Sequence, residues 1–163
     1  MDLRAAQAPI KDRYRQQPDD AVITLTARAT ETDTPVACSV EAGRAIQAAQ
    51  AHSGVGGPGT AACSGDLLLG ALAACAQVTC QMVATSMGIE TESIEIAVEG
   101  DLDLRGTLGV SREAKVGFES IRLSLNVNAP GADPTEIESL KEKTERYCTV
   151  LQTLREPPAI QTT

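Results

Sequence analysis

The stretch CSGDLLLGALAACAQVTC, residues 63–80, places three cysteines in one run of small and apolar residues. A fourth, Cys148, lies in ERYCTVLQTL, residues 145–154, and a fifth, Cys38, lies earlier in the chain. Thiols in such settings serve as packing, as metal ligands, as a disulfide frame, or as redox-active nucleophiles. A tetrahedral metal site needs converging nitrogen and sulfur ligands. This chain has one histidine, His52, and no C-x-x-C pair, so the usual zinc spacing is missing. His52 adjoins a glycine-rich loop and reads as a solvated surface residue. Five is an odd number of cysteines, and their spacing is irregular, unlike a secreted disulfide framework. The N-terminal MDLRAAQAPIKDRYRQQPDD has no apolar segment of the secretory kind. The expected setting is a reducing cytoplasm, where thiols are free and any disulfide is transient.

The cysteines are not equivalent. Cys75 and Cys80 are five positions apart, which on a helix is about 140° of rotation, so they do not share a face. A free cysteine in an apolar setting behaves as a small hydrophobe, and reactivity additionally requires a lowered pKa. On that basis Cys38, on an expected strand, and Cys80, on an apolar helix, read as packing. Cys63 stands near a helix start, where the dipole favours a thiolate, and its reading stays open.

The elements that must position these thiols follow from patterning. AVITLTARAT alternates as a strand, ETDTP turns, and VACSVEAG is its hairpin partner. RAIQAAQAH reads as a short helix or an irregular segment, and SGVGGPGTAA as a loop. Ser64 is the expected N-cap of a long helix that continues to Met87, with Asp66 in its first turn and Gly88 at its end. That run is apolar nearly all round, as in a central buried helix. It approaches the ~20 residues a bilayer requires. Gln77, Thr79, Gln81 and Thr85 interrupt it and no Lys or Arg flanks it, so a membrane partner is not expected. SIEIAVEGDLDL and FESIRLSLNVNA read as strands. Asp133 and Pro134 cap and open an amphipathic helix, TEIESLKEKTERY, and LQTLREPPAIQTT closes the chain as a short helix and a last strand. The order β–β–α–β–β–α makes the fold class α+β.

At 163 residues the chain fits a single domain, expected over 21–163, preceded by a polar extension over 1–20. With two Tyr, one Phe and no Trp, the core must be built from Leu, Ile, Val and Ala, which favours close helix packing and a buried subunit interface. A net charge of −8 excludes a phosphate-backbone partner, so no nucleic acid is expected.

Two segments carry a resemblance to a known family. SGDLLLGALAAC, residues 64–75, preceded by GVGGPGT, resembles the OsmC/Ohr superfamily signature, in which a glycine-rich loop leads into a long central helix bearing the peroxidatic cysteine. ERYCTVLQTL is similar to the second motif of that superfamily, and the 73-residue separation of the two cysteines also fits. The resemblance spans about residues 20–160. It implies an intertwined α+β homodimer, with antiparallel sheets wrapped around two long central helices. It also implies reduction of organic hydroperoxides without haem, flavin or metal. In that reading Cys75 attacks the peroxide and becomes a sulfenic acid, Cys148 resolves it to a disulfide, and a dithiol of the lipoyl type restores the thiols.

The superfamily supports its thiolate with an arginine held by a carboxylate. The position ten residues before Cys75, a glutamate in the best-known members, is Gly65 here, and the role passes to the adjacent Asp66. Arg28 and Arg44 are the nearest upstream candidates for the arginine, with Arg13 and Arg15 on the N-terminal extension as others. The same resemblance admits a catalytically silent dimer that binds a small ligand or senses redox state. An ordinary pKa at Cys75 would favour that alternative.

Overall fold

The computed structural model describes residues 7, 9, 11, 16, 17, 27–31, 37–42, 45–109 and 111–163, with the backbone alone over 27–31, 37–42 and 45–47. Its contacts fall into two units. One comprises 1–12, 70–99 and 122–163, and the other 13–69 and 100–121. The α+β class expected from the sequence is the observed one.

In the second of these units, β1 (Ala27–Glu31), β2 (Ala37–Ala42) and β3 (Ala45–Gln50) form an antiparallel sheet in that order. The hairpin of β1 and β2 is as expected, with Ala27 opposite Ala42 and Glu31 opposite Cys38. The start of the expected first strand, 21–26, lies outside the described residues. The segment read as a short helix or irregular is instead β3, paired to β2 from Ala42↔Ala45 to Ala37↔Gln50. Its alanines and glutamines favour helix locally, but a full antiparallel ladder satisfies every second backbone group against β2 and outweighs a propensity of a few tenths of a kcal/mol per residue. Beyond β3, the Gln50 amide donates to the Ala62 carbonyl (3.0 Å), and the Gln50 and Thr60 side chains bond each other (3.0 Å). These contacts close the glycine-rich loop. Within it Gly57 has no room for a side chain, because a Cβ there would overlap the Ala51 carbonyl.

The long helix α1 runs from Ser64 to Met87. Ser64, expected as the cap, is already helical. The residue before it, Cys63, gives its carbonyl to the Leu67 amide (3.0 Å) and its own amide to the Asp66 carboxylate (2.9 Å). The helix stops where expected. Gly88 takes φ 76°, its amide bonds the Thr85 carbonyl (3.2 Å), and the Ile89 amide reaches the Ala84 carbonyl (3.0 Å). This is the paired six-to-one and five-to-two closure that a left-handed glycine permits.

The helix is long and apolar enough to cross a membrane by length and composition. It is not buried all round, however. Leu72, Ala76, Thr79, Cys80 and Ala84 form one buried stripe, while Val78 is 53% and Met82 37% exposed on other faces. Its buried stripe enters a core of Cys80, Ala84 and Leu140, against which Val83, Met87, Ile89, Ile94 and Val127 pack.

Strands β4 (Ser93–Asp101) and β5 (Ser120–Asn128) form a two-stranded sheet. Both alternate between exposed and half-buried positions, with Ile121, Leu123, Leu125 and Val127 inward on β5, as the sequence alternation requires. Among the described residues of the connection between them is a short helix, α2 (Leu104–Thr107), capped by Asp103. Helix α3 (Pro134–Tyr147) opens with the expected cap: the Asp133 carboxylate accepts the Glu136 amide (2.8 Å), and Glu136 reaches back to the Asp133 amide (3.0 Å). Helix α4 (Thr149–Arg155) follows after a single residue, Cys148. No last strand forms over 156–163. Pro157 and Pro158 carry no amide hydrogen to offer a ladder, and the segment is exposed.

Candidate active site

The site is built on the part of α1 from Gly70 onward and on the elbow between α3 and α4, all within one unit. Cys148 is both the C-cap of α3 and the N-cap of α4, with extended backbone (φ −72°, ψ 104°). Its amide donates to the Thr144 carbonyl (2.9 Å), and its carbonyl accepts the Gln152 amide (3.0 Å). A residue that ends one helix and starts another leaves the amides following it without intrahelical acceptors. The elbow angle is held from outside by Gln152, whose side chain donates to the Glu145 carbonyl (2.8 Å), and by an Arg155–Glu145 ion pair (2.7 Å). That ion pair is solvent-exposed, so it contributes little by itself.

Cys75 faces this elbow from α1, half-buried, and Cys148 is fully buried. Their side chains are close enough for each to act on the other's ionisation. Burial alone would raise the Cys75 thiol. The Val150 amide, the Cys148 thiol, the Thr79 hydroxyl and the Thr149 amide all act on its sulfur and together overcome burial, leaving its pKa below that of an ordinary cysteine. The amides of Thr149 and Val150, in the first turn of α4, thus favour the ionised form of Cys75, while those of Leu151 and Val150 act on Cys148. At Cys148 burial dominates, and the hydrogen bond and charge of Cys75 add to it, so that thiol is pushed up. The two sulfurs titrate as a pair in which the more accessible one ionises first. The arrangement suits a nucleophilic thiolate next to a protonated thiol that can follow it. The largest influences on the Cys75 sulfur are neutral groups.

The other sequence candidates are placed as follows. Asp66 is exposed at the start of α1. The amide and then the thiol of Cys63 bond its carboxylate and hold it below the usual carboxylate range. That is a helix-capping role, and it also gives the Cys63 thiol a partner. Arg28 lies on β1 opposite Glu41, with its backbone alone described. Arg44, Arg13 and Arg15 lie outside the described residues, and only the backbone of Cys38, on β2, is described. Cys80 is fully buried beside Leu140, and burial pushes its thiol up, with Thr144 its hydrogen-bond neighbour. His52 caps a short 3-10 turn (Ser53–Val55) through Nδ1, which accepts the Gly54 amide (3.0 Å).

Sequence reasoning missed Thr79 and the amides of Thr149 and Val150. Thr79 entered only as a polar interruption of an apolar run. Its position four residues after Cys75, on the same helical face, was the available signal. The amides left no signal in residue type, since any residue but proline supplies one.

The family model described as OsmC-like protein matches residues 57–163. Among solved structures, an OsmC-like protein from Mycoplasma pneumoniae superposes with TM-score 0.69 at 16% identity, covering 83% of this chain and 89% of its own. An organic hydroperoxide resistance protein from Legionella pneumophila gives TM-score 0.62 at 22% identity, covering 83% and 91%. Another from Elizabethkingia anophelis gives 0.62 at 21%, also covering 83% and 91%. No curated protein matches the sequence.

Proposed function

Because the chain belongs to the OsmC-like protein family, we propose that it is a thiol-dependent peroxidase acting on organic hydroperoxides. One observation carries the reading: Cys75 and Cys148, 73 residues apart in sequence, meet with the Cys75 pKa lowered. Relatives of the same fold that are named for organic hydroperoxide resistance support it.

The Cys75 thiolate attacks the distal peroxide oxygen. The O–O bond breaks, the sulfur becomes a sulfenic acid, and the alkoxide takes a proton and leaves as an alcohol. The Cys148 sulfur then attacks the sulfenic sulfur, forming the disulfide and releasing water. A dithiol of the lipoyl type reduces that disulfide by exchange and is itself oxidised to a cyclic disulfide. Every step uses sulfur alone, so no metal or organic cofactor is required. The amides of Thr149 and Val150 act as fixed dipoles toward the charge on Cys75, a role the family gives to an arginine. Asp66 with Arg28 or Arg44 completes the family pattern in this reading.

The assembly is a homodimer in which the exposed apolar positions of α1, Val78 and Met82, are covered by a second copy. Its thiols work in a reducing cytoplasm. The deciding experiment follows cumene hydroperoxide consumption with dihydrolipoamide as reductant. Activity in the wild type that disappears in Cys75→Ser supports the proposal, and an inactive wild type removes it. Among the described residues the groups acting on Cys75 are neutral, which favours one other reading, a catalytically silent dimer that binds a small ligand or senses redox state. An active wild type rules that out.

A further inference from the structure

Glu145 is the third residue from the end of α3, and its carbonyl is one of those a helix leaves without a partner when the chain turns away, here at Cys148. In an uninterrupted helix the Thr149 amide would bond it. The side-chain amide of Gln152, on α4, donates to it instead (2.8 Å). The backbone amide of the same Gln152 donates to the Cys148 carbonyl (3.0 Å), and the Cys148 amide donates to the Thr144 carbonyl (2.9 Å). Three hydrogen bonds thus close a ring through Thr144, Glu145, Cys148 and Gln152, with the fully buried Cys148 at its corner. Two of them are backbone bonds that any residue but proline would make. The third depends on the glutamine side chain. The Arg155–Glu145 ion pair also spans the elbow, but its side chains are 53% and 42% exposed, so water competes with it. Gln152 is half-buried, where a hydrogen bond keeps more of its strength.

We propose that Gln152 is a positioning residue for Cys148: by fastening α4 to the end of α3, its side chain fixes the elbow at which the Cys148 thiol is presented to Cys75. The proposal rests on the reading of Cys148 as the thiol that closes on Cys75. It goes beyond that reading by naming what sets how readily the two sulfurs join. A disulfide requires a narrow geometry, with Cβ atoms about 3.5–4.5 Å apart. Rotation about the Cys148 backbone would swing the thiol and the first turn of α4 together, so a slack elbow would spend less of its time in a geometry that can close. The Gln152 tie removes that slack before the reaction begins.

The test measures the effective concentration of Cys148 toward Cys75 in glutathione buffers, with no peroxide present. Two protein thiols are oxidised to one disulfide while one glutathione disulfide is reduced to two glutathiones, and peptide mass spectrometry after acid quench and alkylation reads the Cys75–Cys148 linkage. The full-length wild type is compared with three variants. Gln152→Leu keeps the bulk and the helix preference and removes the donor. Gln152→Lys returns an N–H donor, and Glu145→Gln breaks the ion pair but keeps the carbonyl. Gln152→Leu is expected to lower the effective concentration by about three- to tenfold. Gln152→Lys recovers most of the loss, and Glu145→Gln stays within about twofold of wild type. An unchanged value in Gln152→Leu overturns the proposal, as does a lysine variant that recovers nothing or an equal loss in Glu145→Gln. A wild type that never links the two cysteines also overturns it. Alkylation of the buried Cys80 in the reduced proteins is expected to be the same in all four; a Cys80 that becomes reactive in Gln152→Leu marks general loosening and counts against the proposal. Hydroperoxide consumption is assayed separately. A wild type inactive with peroxide that still shows the leucine loss removes the peroxidase reading alone, and an active wild type without that loss removes this one alone.

Discussion

The thiol of Cys75 on the long helix α1 meets the thiol of Cys148, the single residue joining α3 to α4, and the two are driven in opposite directions. Cys75 gains amide and hydroxyl donors that outweigh its partial burial, whereas Cys148 is dominated by burial. The asymmetry is the one the proposed roles require, with a thiolate attacking and a neighbouring thiol resolving.

Removing each sulfur should therefore have different consequences. Cys75→Ser is expected to lower hydroperoxide consumption by at least about a hundredfold, because the attacking group is gone. Cys148→Ser should consume about one equivalent of peroxide and then stall. Its sulfenic acid at Cys75 should be captured by dimedone and seen by mass spectrometry. Continued turnover with dithiol in the second variant, at the wild-type rate, would show that resolution does not need Cys148.

The pH order of reactivity follows from the same shifts. A thiol with a lowered pKa is ionised at lower pH, so Cys75 should be alkylated first as pH rises, with Cys148 and Cys80 following above the ordinary thiol range. Because the Cys148 thiol donates to Cys75, Cys148→Ala should move the Cys75 profile toward higher pH. Residue-resolved alkylation over pH 5 to about 10 measures the order, which is expected across the reference thiol value.

Asp66 separates two roles. If it only caps α1, Asp66→Ala should cost no more than about 1 kcal/mol in urea unfolding and leave the Cys75 profile unchanged. Its carboxyl is held below the ordinary carboxylate range, so its contribution is present above that range and is lost as pH falls through the lowered folded value. A loss of Cys75 reactivity in this variant would instead support the arginine-holding role that the family pattern assigns to the acid.

The core under the site has its own signature. Leu140 is fully buried and packs on Cys80 and Ala84. Leu140→Ala should destabilise by about 2–5 kcal/mol, a large share of a small domain's total. Chemical denaturation would register it as a lowered midpoint with little change in slope.

The subunit proposal is testable on α1 directly. Val78, 53% exposed on an apolar helix, should lie under the second copy. Val78→Asp would bury a charge there and should shift light-scattering mass from dimer to monomer, with loss of thermal stability. An unchanged mass distribution would place the interface elsewhere.

What the sequence determined by itself was local. The alternation of β5, the Asp133–Pro134 opening of α3, the Gly88 stop of α1 and the choice of Cys75 and Cys148 all follow from neighbours in the chain or from the two quoted motifs. Caps, turns and periodicities are set within a few residues, so residue type encodes them. The tertiary structure decided what depends on distant pairing. β3 became a strand only because β2 offered a ladder, and the expected last strand failed beyond Pro157 and Pro158. The environment of Cys75 was equally non-local, because the amides of Thr149 and Val150 reach it only once the α3–α4 elbow folds against α1. A backbone donor has no letter in the sequence, and its effect on a sulfur 74 and 75 positions earlier exists only in three dimensions.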